Sequence, residues 1–233
     1  AENWSGQIEV RSALDGRVAN DGVERYRDLN SRHLEPLQTR GLDEEAVFLE
    51  VRTSQSKISI AQASRTRAFK DEKALALNPT IVQEPGYIAQ HFTLDIAEGK
   101  TITLEKVVAL FTSRDRGISD CSLATPESLT QAGPFKDLLK SHVLAWEHLW
   151  RRFVINFEPQ DPEKGDRTAL VVHLYTFHLL QTTSLHTKDL DVGVPSRGWH
   201  GEAYRGHIFW DELFIFPLLN LRVPEITRAL LMY

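Results

Sequence analysis

The sequence predicts a multidomain β + α protein, with an antiparallel β-sandwich in its first half and helices in its second half. The hydrophobic pattern has a period of two up to about Arg116 and becomes helical after Gly117. Turn signals separate the alternating runs, and little helical pattern lies between them. At 233 residues, the chain is long enough for one large domain or two ordinary ones.

The β half is predicted to be an incomplete sandwich over residues 1–117. Glu98–Gly99 lies between two alternating runs and is typical of a tight hairpin. Sheets of this kind must cover one apolar face with another, which favours two stacked sheets. We interpret the charged segments 25–45 and 70–84 as long surface connections rather than strands. The alternating apolar residues that define the strands are Ile58, Ile60, Phe92, Leu94, Ile96, Ile102, Leu104, Val108 and Leu110.

The helical half is predicted to begin with a helical linker over residues 118–165. After Gly133–Pro134, apolar residues recur at steps of three and four as far as Phe153, which predicts one long helix with a packed face. The next helix, from about Arg167 to Thr183, has almost no polar face, so we expect it to be buried nearly all round. A last helix starts at Pro224 and is still apolar at Tyr233, and the only methionine is Met232, so we expect a truncated chain.

Composition excludes several classes of partner. The net charge is −5 and no run of basic residues forms a nucleic-acid footprint. No apolar stretch reaches the length of roughly 18 residues that a membrane span needs. Cys121 is the single cysteine and cannot close an intrachain disulfide, which favours a cytoplasmic location. It lies in a segment interpreted as a polar connection with no adjacent histidine, so we do not expect a nucleophile.

The segment from Asp191 to Asp211 has the composition of a binding site. It contains four glycines and a dense mixture of aromatic, acidic and basic side chains. Aromatic faces bury the C–H surface of a pyranose, and carboxylates and guanidinium groups exchange hydrogen bonds with hydroxyls. The residues concerned are Trp199, His200, Glu202, Tyr204, Arg205, His207, Trp210 and Asp211.

Two simpler interpretations apply to the same residues. By themselves, Trp210 and Asp211 would be an aromatic core anchor followed by an acid at a helix N-terminus. His200, Glu202, His207 and Asp211 could also be metal ligands, but their spacing fits no two-histidine helix motif and no thiolate set. We therefore predict no metal site.

The motif around Trp210 resembles a known family. Tyr204-Arg205-Gly206-His207-Ile208-Phe209-Trp210-Asp211-Glu212, with Gly198-Trp199-His200-Gly201-Glu202 before it, resembles glycoside hydrolase family 65. Upstream, Arg11-Ser12-Ala13-Leu14-Asp15-Gly16 and Ala145-Trp146-Glu147-His148-Leu149-Trp150 follow in the order of that family. The resemblance covers essentially the whole chain, and it implies that residues 166–233 form the first helices of a truncated (α/α) barrel.

The resemblance implies an enzyme that cleaves α-glucosidic disaccharides of the trehalose or maltose type. In that family phosphate or water attacks the anomeric carbon in a single inverting displacement while a glutamic acid protonates the leaving oxygen. No cofactor is implied beyond phosphate as a co-substrate, and a homodimer is compatible with the resemblance. The general acid is not expected in this chain, because Glu202 and Glu212 are outside the family's acid position. The implied substrate-binding residues are Trp210, Asp211, Tyr204, Arg205, His207 and Glu202.

The competing hypothesis is a non-catalytic carbohydrate-binding or scaffolding module. A sandwich followed by helices could hold a sugar without cleaving it. Several hundred further residues of helical pattern with a suitably placed glutamate would favour the enzyme, whereas a stop codon after Tyr233 would favour the module.

Overall fold

A computed structural model of the chain describes residues 3–19, 28, 30–156, 162–188, 190, 192–194 and 206–232. The chain divides into two compact units, residues 1–140 and residues 141–233. In these described ranges, no helix combines the length and the apolar character that crossing a membrane requires.

The described part of the first unit contains eight strands in two antiparallel sheets. One sheet has the order β1-β7-β6, and the other has the order β2-β3-β4, with β5 and β8 both paired to β4. The strands are β1 (Gly6–Asp15), β2 (Leu34–Gly41), β3 (Ala46–Thr53), β4 (Ser59–Lys70), β5 (Lys73–Leu75), β6 (Thr80–Glu84), β7 (Tyr87–Ile96) and β8 (Ile102–Thr112).

The two sheets form the predicted sandwich. Val47, Leu49 and Val51 alternate along β3 and pack against Leu14 and Ile88 of the other sheet. All five side chains are almost fully buried, so their burial is a main source of the stability of this unit. The alternating pattern in the sequence therefore predicted this fold class correctly.

A helix that the sequence did not predict covers the other face of the larger sheet. Helix α1 (Cys121–Gln131) buries Cys121, Thr125 and Leu129, which are spaced four residues apart and lie on one face. Cys121 and Leu129 pack against Phe48 and Ala63. The interpretation of this segment as a polar connection is wrong. The helix was missed because its buried face mixes Leu129 with the small or polar Cys121 and Thr125 and forms no continuous apolar stripe. Burial raises the pKa of the Cys121 thiol, which disfavours a nucleophilic thiolate.

The N-terminus of α1 depends on one cap. The carboxylate of Asp120 accepts a hydrogen bond of 2.7 Å from the backbone N–H of Ser122. We expect Asp120→Ala to lower the free energy of unfolding by about 1 kcal/mol, as measured by denaturant titration. Asp120→Asn is the matched control because its amide oxygen keeps the acceptor. Equal losses in both variants would show that the cap does not stabilise α1.

The interpretation of residues 25–45 and 70–84 as surface connections is wrong for much of both segments. Strand β2 lies in the first segment, and β5 and β6 lie in the second. Strands β2 and β6 form sheet edges, and β5 is a short strand beside β4. Most of their side chains stay exposed or partly exposed, so the sequence lacks the clear alternation of buried residues that marks the inner strands.

The second unit is helical and has its own core. Helix α2 (Phe135–Phe153) begins in the first unit and ends in the second, and it is followed by α3 (Pro162–Thr182), a short 3₁₀ turn (Leu185–Thr187), α4 (Glu212–Arg222) and α5 (Pro224–Met232). The core of the second unit consists of Phe153, Leu180, Leu219, Val223 and Ile226.

The expectation that α3 is buried nearly all round is wrong for this chain. Leu170 and Tyr175 are 68% and 69% exposed, whereas Leu180 is buried. The start of the helix also differs from the expected Arg167, because Pro162 occupies its first position, where proline is favoured. The described elements therefore cover only part of the surface of this apolar helix.

Candidate functional site

Trp210 and Asp211 lie at the start of α4. The Trp210 side chain is 66% exposed, and its ring meets the ring of Phe214 edge to face with centroids 5.6 Å apart. Asp211 is the N-cap residue and is partly buried, yet its carboxylate makes no capping hydrogen bond to the helix. Among the described residues, Trp210 is therefore not buried as a core anchor would be. The helix start presents an aromatic ring beside a carboxylate that the helix does not use.

Glu212, the next residue, has the opposite environment. Its side chain is buried, and its Oε1 accepts a hydrogen bond of 2.9 Å from the backbone N–H of Val194. Burial raises the pKa of Glu212, while the hydrogen bond from Val194 partly opposes that rise. The sequence favoured a structural role for Glu212 over a catalytic one, and this environment agrees with that interpretation.

Two stretches of backbone lie close together beside Glu212. We call this contact the neck, and it is formed by Gly193, Val194, Gly206, the backbone of His207 and the Glu212 side chain. The N–H of Gly193 donates a hydrogen bond of 2.6 Å to the carbonyl of Gly206. A Cβ at Gly193 would lie 2.5 Å from the His207 oxygen and 2.6 Å from Glu212 Oε1. Gly206 has a φ of +70°, which favours glycine. Glycine here permits the close approach of chain to chain.

Of the other predicted site residues, the structure describes His207. His207 is exposed, and its ring lies 6.5 Å from that of Phe209. Glu202, Tyr204 and Arg205 lie outside the described residues. Among the side chains that the structure does describe, no group of three or more histidine, cysteine, aspartate or glutamate residues is arranged to hold a metal ion.

A separate apolar groove of about 580 Å³ lies on α2 and α3. Trp146, Trp150 and Phe177 line it, and the rings of Trp146 and Phe177 are 5.2 Å apart. The sequence indicated a packing role for these two tryptophans, and the mainly apolar surface of the groove has the character of a packing surface, although His142, Glu147 and Arg151 also line it.

The pH dependence of stability reports the environment of Glu212. Because burial raises its pKa in the folded state, the folded protein holds the proton more tightly than the unfolded chain. The stabilisation that comes from this tighter proton binding is fully present below the pKa of Glu212 in the unfolded chain. It is lost as the pH rises through the pKa of Glu212 in the folded protein. We therefore expect Glu212→Gln to gain stability relative to the wild type as the pH rises above about 4. Denaturant titrations across this range measure the difference, and a constant difference would contradict the expectation.

Comparison with known proteins identifies the family. Residues 1–149 match the model of the glycosyl hydrolase family 65 N-terminal domain, and residues 173–233 match that of the family 65 central catalytic domain. An uncharacterized glycosyl hydrolase of Mycobacterium tuberculosis is 40% identical over 233 residues, covering 100% of this chain and 17% of that protein. The kojibiose phosphorylase of Thermoanaerobacter brockii is 30% identical over 239 residues, covering 99% of this chain and 30% of its own length.

A solved structure shares the fold. It is described as a putative kojibiose phosphorylase from the human microbiome and superposes with a TM-score of 0.70 at 16% identity, over 98% of this chain and 28% of that one. The two matched domain models both describe glycosyl hydrolases. The chain belongs to glycosyl hydrolase family 65. It spans less than a third of the length of each of these relatives.

Proposed function

We propose that this chain is the front portion of an enzyme that cleaves α-glucosidic disaccharides, with phosphate or water as the attacking group. Membership of family 65 supports this proposal, and so does the similarity to a protein named kojibiose phosphorylase. Trehalose, maltose and kojibiose are the three substrates to compare.

The observation that carries the proposal is the pair at the start of α4. Trp210 exposes most of its ring and Asp211 has a carboxylate that does not cap the helix, within the part of the chain that matches the catalytic domain. The Trp210 face stacks on the apolar C–H surface of the glucosyl unit, and the Asp211 carboxylate accepts hydrogen bonds from its hydroxyls. Together they hold the sugar at the glycone subsite, with its anomeric carbon directed to the reacting groups.

The reaction requires groups beyond this pair. In an inverting displacement, one acid protonates the leaving oxygen while phosphate or an activated water attacks from the opposite face of the sugar. In this proposal the acid and the attacking group are held by residues that follow Tyr233 in the complete protein. Because the described residues leave the Trp210 ring largely exposed, those later residues also close the cleft around it.

The remaining predicted residues act around the sugar. Glu202, Tyr204, Arg205 and His207 supply further hydrogen bonds to the disaccharide, and no metal or organic cofactor takes part. We further propose that the complete protein is a cytoplasmic homodimer.

The test is an assay of the complete protein with trehalose, maltose and kojibiose, each with and without phosphate. Release of a sugar 1-phosphate only in the presence of phosphate identifies a phosphorylase, and release of free glucose without phosphate identifies a hydrolase. We expect the isolated 233-residue chain to be inactive, because in this proposal the proton donor lies outside it. Binding of these sugars without cleavage by the complete protein would favour a non-catalytic binding module and refute the proposal.

A further inference from the structure

We propose that Glu212 is a positioning residue that locks the neck and thereby holds Trp210 and Asp211 in the orientation that binds sugar. This inference rests on the proposed function of the pair. It assigns to Glu212 a role through its neighbours rather than through contact with the substrate.

The first step is the connection between the Glu212 side chain and the neck. Its Oε1 accepts the Val194 N–H, and one residue earlier Gly193 is hydrogen-bonded to Gly206. The partly buried N–H of Val194 needs an acceptor, and a carboxylate is a strong one. The absence of a Cβ at Gly193 lets the carboxylate approach this closely. Glu212 therefore ties two stretches of chain that are 18 positions apart in the sequence.

The second step is the connection between the Glu212 backbone and the Trp210–Asp211 pair. The N–H of Glu212 donates to the carbonyl of Phe209, that of Leu213 to Trp210 and that of Phe214 to Asp211, at 3.1–3.2 Å. These consecutive turns leave little freedom between the anchored Glu212 and the two residues before it. Fixing the Glu212 side chain at the neck thus fixes the backbone that carries the pair.

A catalytic role for Glu212 fits the geometry less well. A carboxyl group with a raised pKa is suited to general acid catalysis, but a proton donor must reach the leaving oxygen. The Glu212 side chain is only 4% exposed, and its Oε1 faces backbone atoms of Val194 and Gly193. Glu212 is buried and its Oε1 is hydrogen-bonded to the main chain, and both features favour a positioning function.

The experiment compares Glu212→Ala and Glu212→Gln in the complete protein by hydrogen exchange and by kinetics. With Ala, we expect amides at 192–194 and 212–214 to exchange about tenfold faster or more, because the neck loses a charged hydrogen bond. With Gln, the side-chain oxygen still accepts from Val194, so protection is retained. On an active disaccharide, we expect Ala to raise KM more than it lowers kcat, and Gln to restore KM. Glu225→Ala is the matched control, since Glu225 is a first-turn acid of α5 in a surface ion pair with Arg152.

Two results would overturn the inference. Wild-type protection at 192–194 and 212–214 in the Ala variant would show that Glu212 does not lock the neck. A Gln variant that keeps protection but loses turnover would show that Glu212 donates a proton instead. If no disaccharide is cleaved even by the wild type, the proposed function fails, and loss of protection at both segments with Ala but not with Gln still supports the lock.

Discussion

Replacing Asp211 by Ala in the complete protein is expected to lower kcat/KM by at least about 100-fold while leaving the free energy of unfolding nearly unchanged. A charge-assisted hydrogen bond is worth about 1.5–3 kcal/mol, and a carboxylate in a sugar subsite makes more than one. The fold should tolerate the change, because Asp211 makes no capping hydrogen bond to α4. Steady-state kinetics and denaturant titration measure the two effects.

The control for this prediction is an acid in the first turn of another helix. Asp137 lies in the first turn of α2 and pairs with Lys140 on the surface, so Asp137→Ala should preserve turnover. Asp211→Asn should fall between the wild type and Asp211→Ala, since the amide accepts hydrogen bonds without the charge. Full activity of Asp211→Ala would remove Asp211 from the site.

The sequence predicted the inner part of the sandwich because inner strands alternate strictly between two environments. Phe92 and Leu94 show this in β7, where they are buried with Ala68 of the other sheet while Thr93 between them is exposed. Edge strands have fewer neighbours, so β2, β5 and β6 left no comparable pattern. Helix α1 was missed for a related reason, since Thr125 is fully buried through contacts that the residue type alone does not indicate.

The wrong expectation that α3 is buried nearly all round has a different cause. Its sequence shows correctly that the helix is apolar on most sides, but it does not show whether the covering elements lie within the same stretch of chain. Leu170 and Tyr175 remain exposed here, and the chain spans less than a third of each family relative. The apolar surface of a helix predicts that other elements cover it, but whether α3 is covered here depends on which elements this stretch of chain contains.

The sequence predicted the part of the candidate site that is formed by neighbouring residues. It did not predict the contacts between residues that are far apart in the sequence. Trp210 and Asp211 are adjacent, so their combination is visible in the sequence. The hydrogen bond between Glu212 and Val194 joins residues that are 18 positions apart, and no short pattern in the sequence specifies such a contact. The four glycines of this segment are visible in the sequence, but the sequence does not show that the chain's own atoms pack closely against Gly193.

Gly193→Ala is the second substitution for which we expect a large effect. The added methyl group would lie 2.5 Å from the backbone oxygen of His207, which cannot move without shifting the neck. Overpacking of this kind typically costs about 1–3 kcal/mol of unfolding free energy. We expect the loss in denaturant titration, together with faster hydrogen exchange at 192–194. Gly41→Ala in β2 is the matched control, since a Cβ there meets no atom within 4 Å.

The double variant Gly193→Ala/Glu212→Ala separates a shared neck from two independent defects. Truncating Glu212 removes the Oε1 atom that lies 2.6 Å from the position a methyl group would occupy at Gly193, which relieves one of the two clashes. Both substitutions also disrupt the same pair of hydrogen bonds, and a bond can be lost only once. The combined loss of unfolding free energy should therefore be smaller than the sum of the single losses by more than about 0.5 kcal/mol. Additive losses would mean that Gly193 and Glu212 stabilise the protein separately, and the neck would not act as one unit.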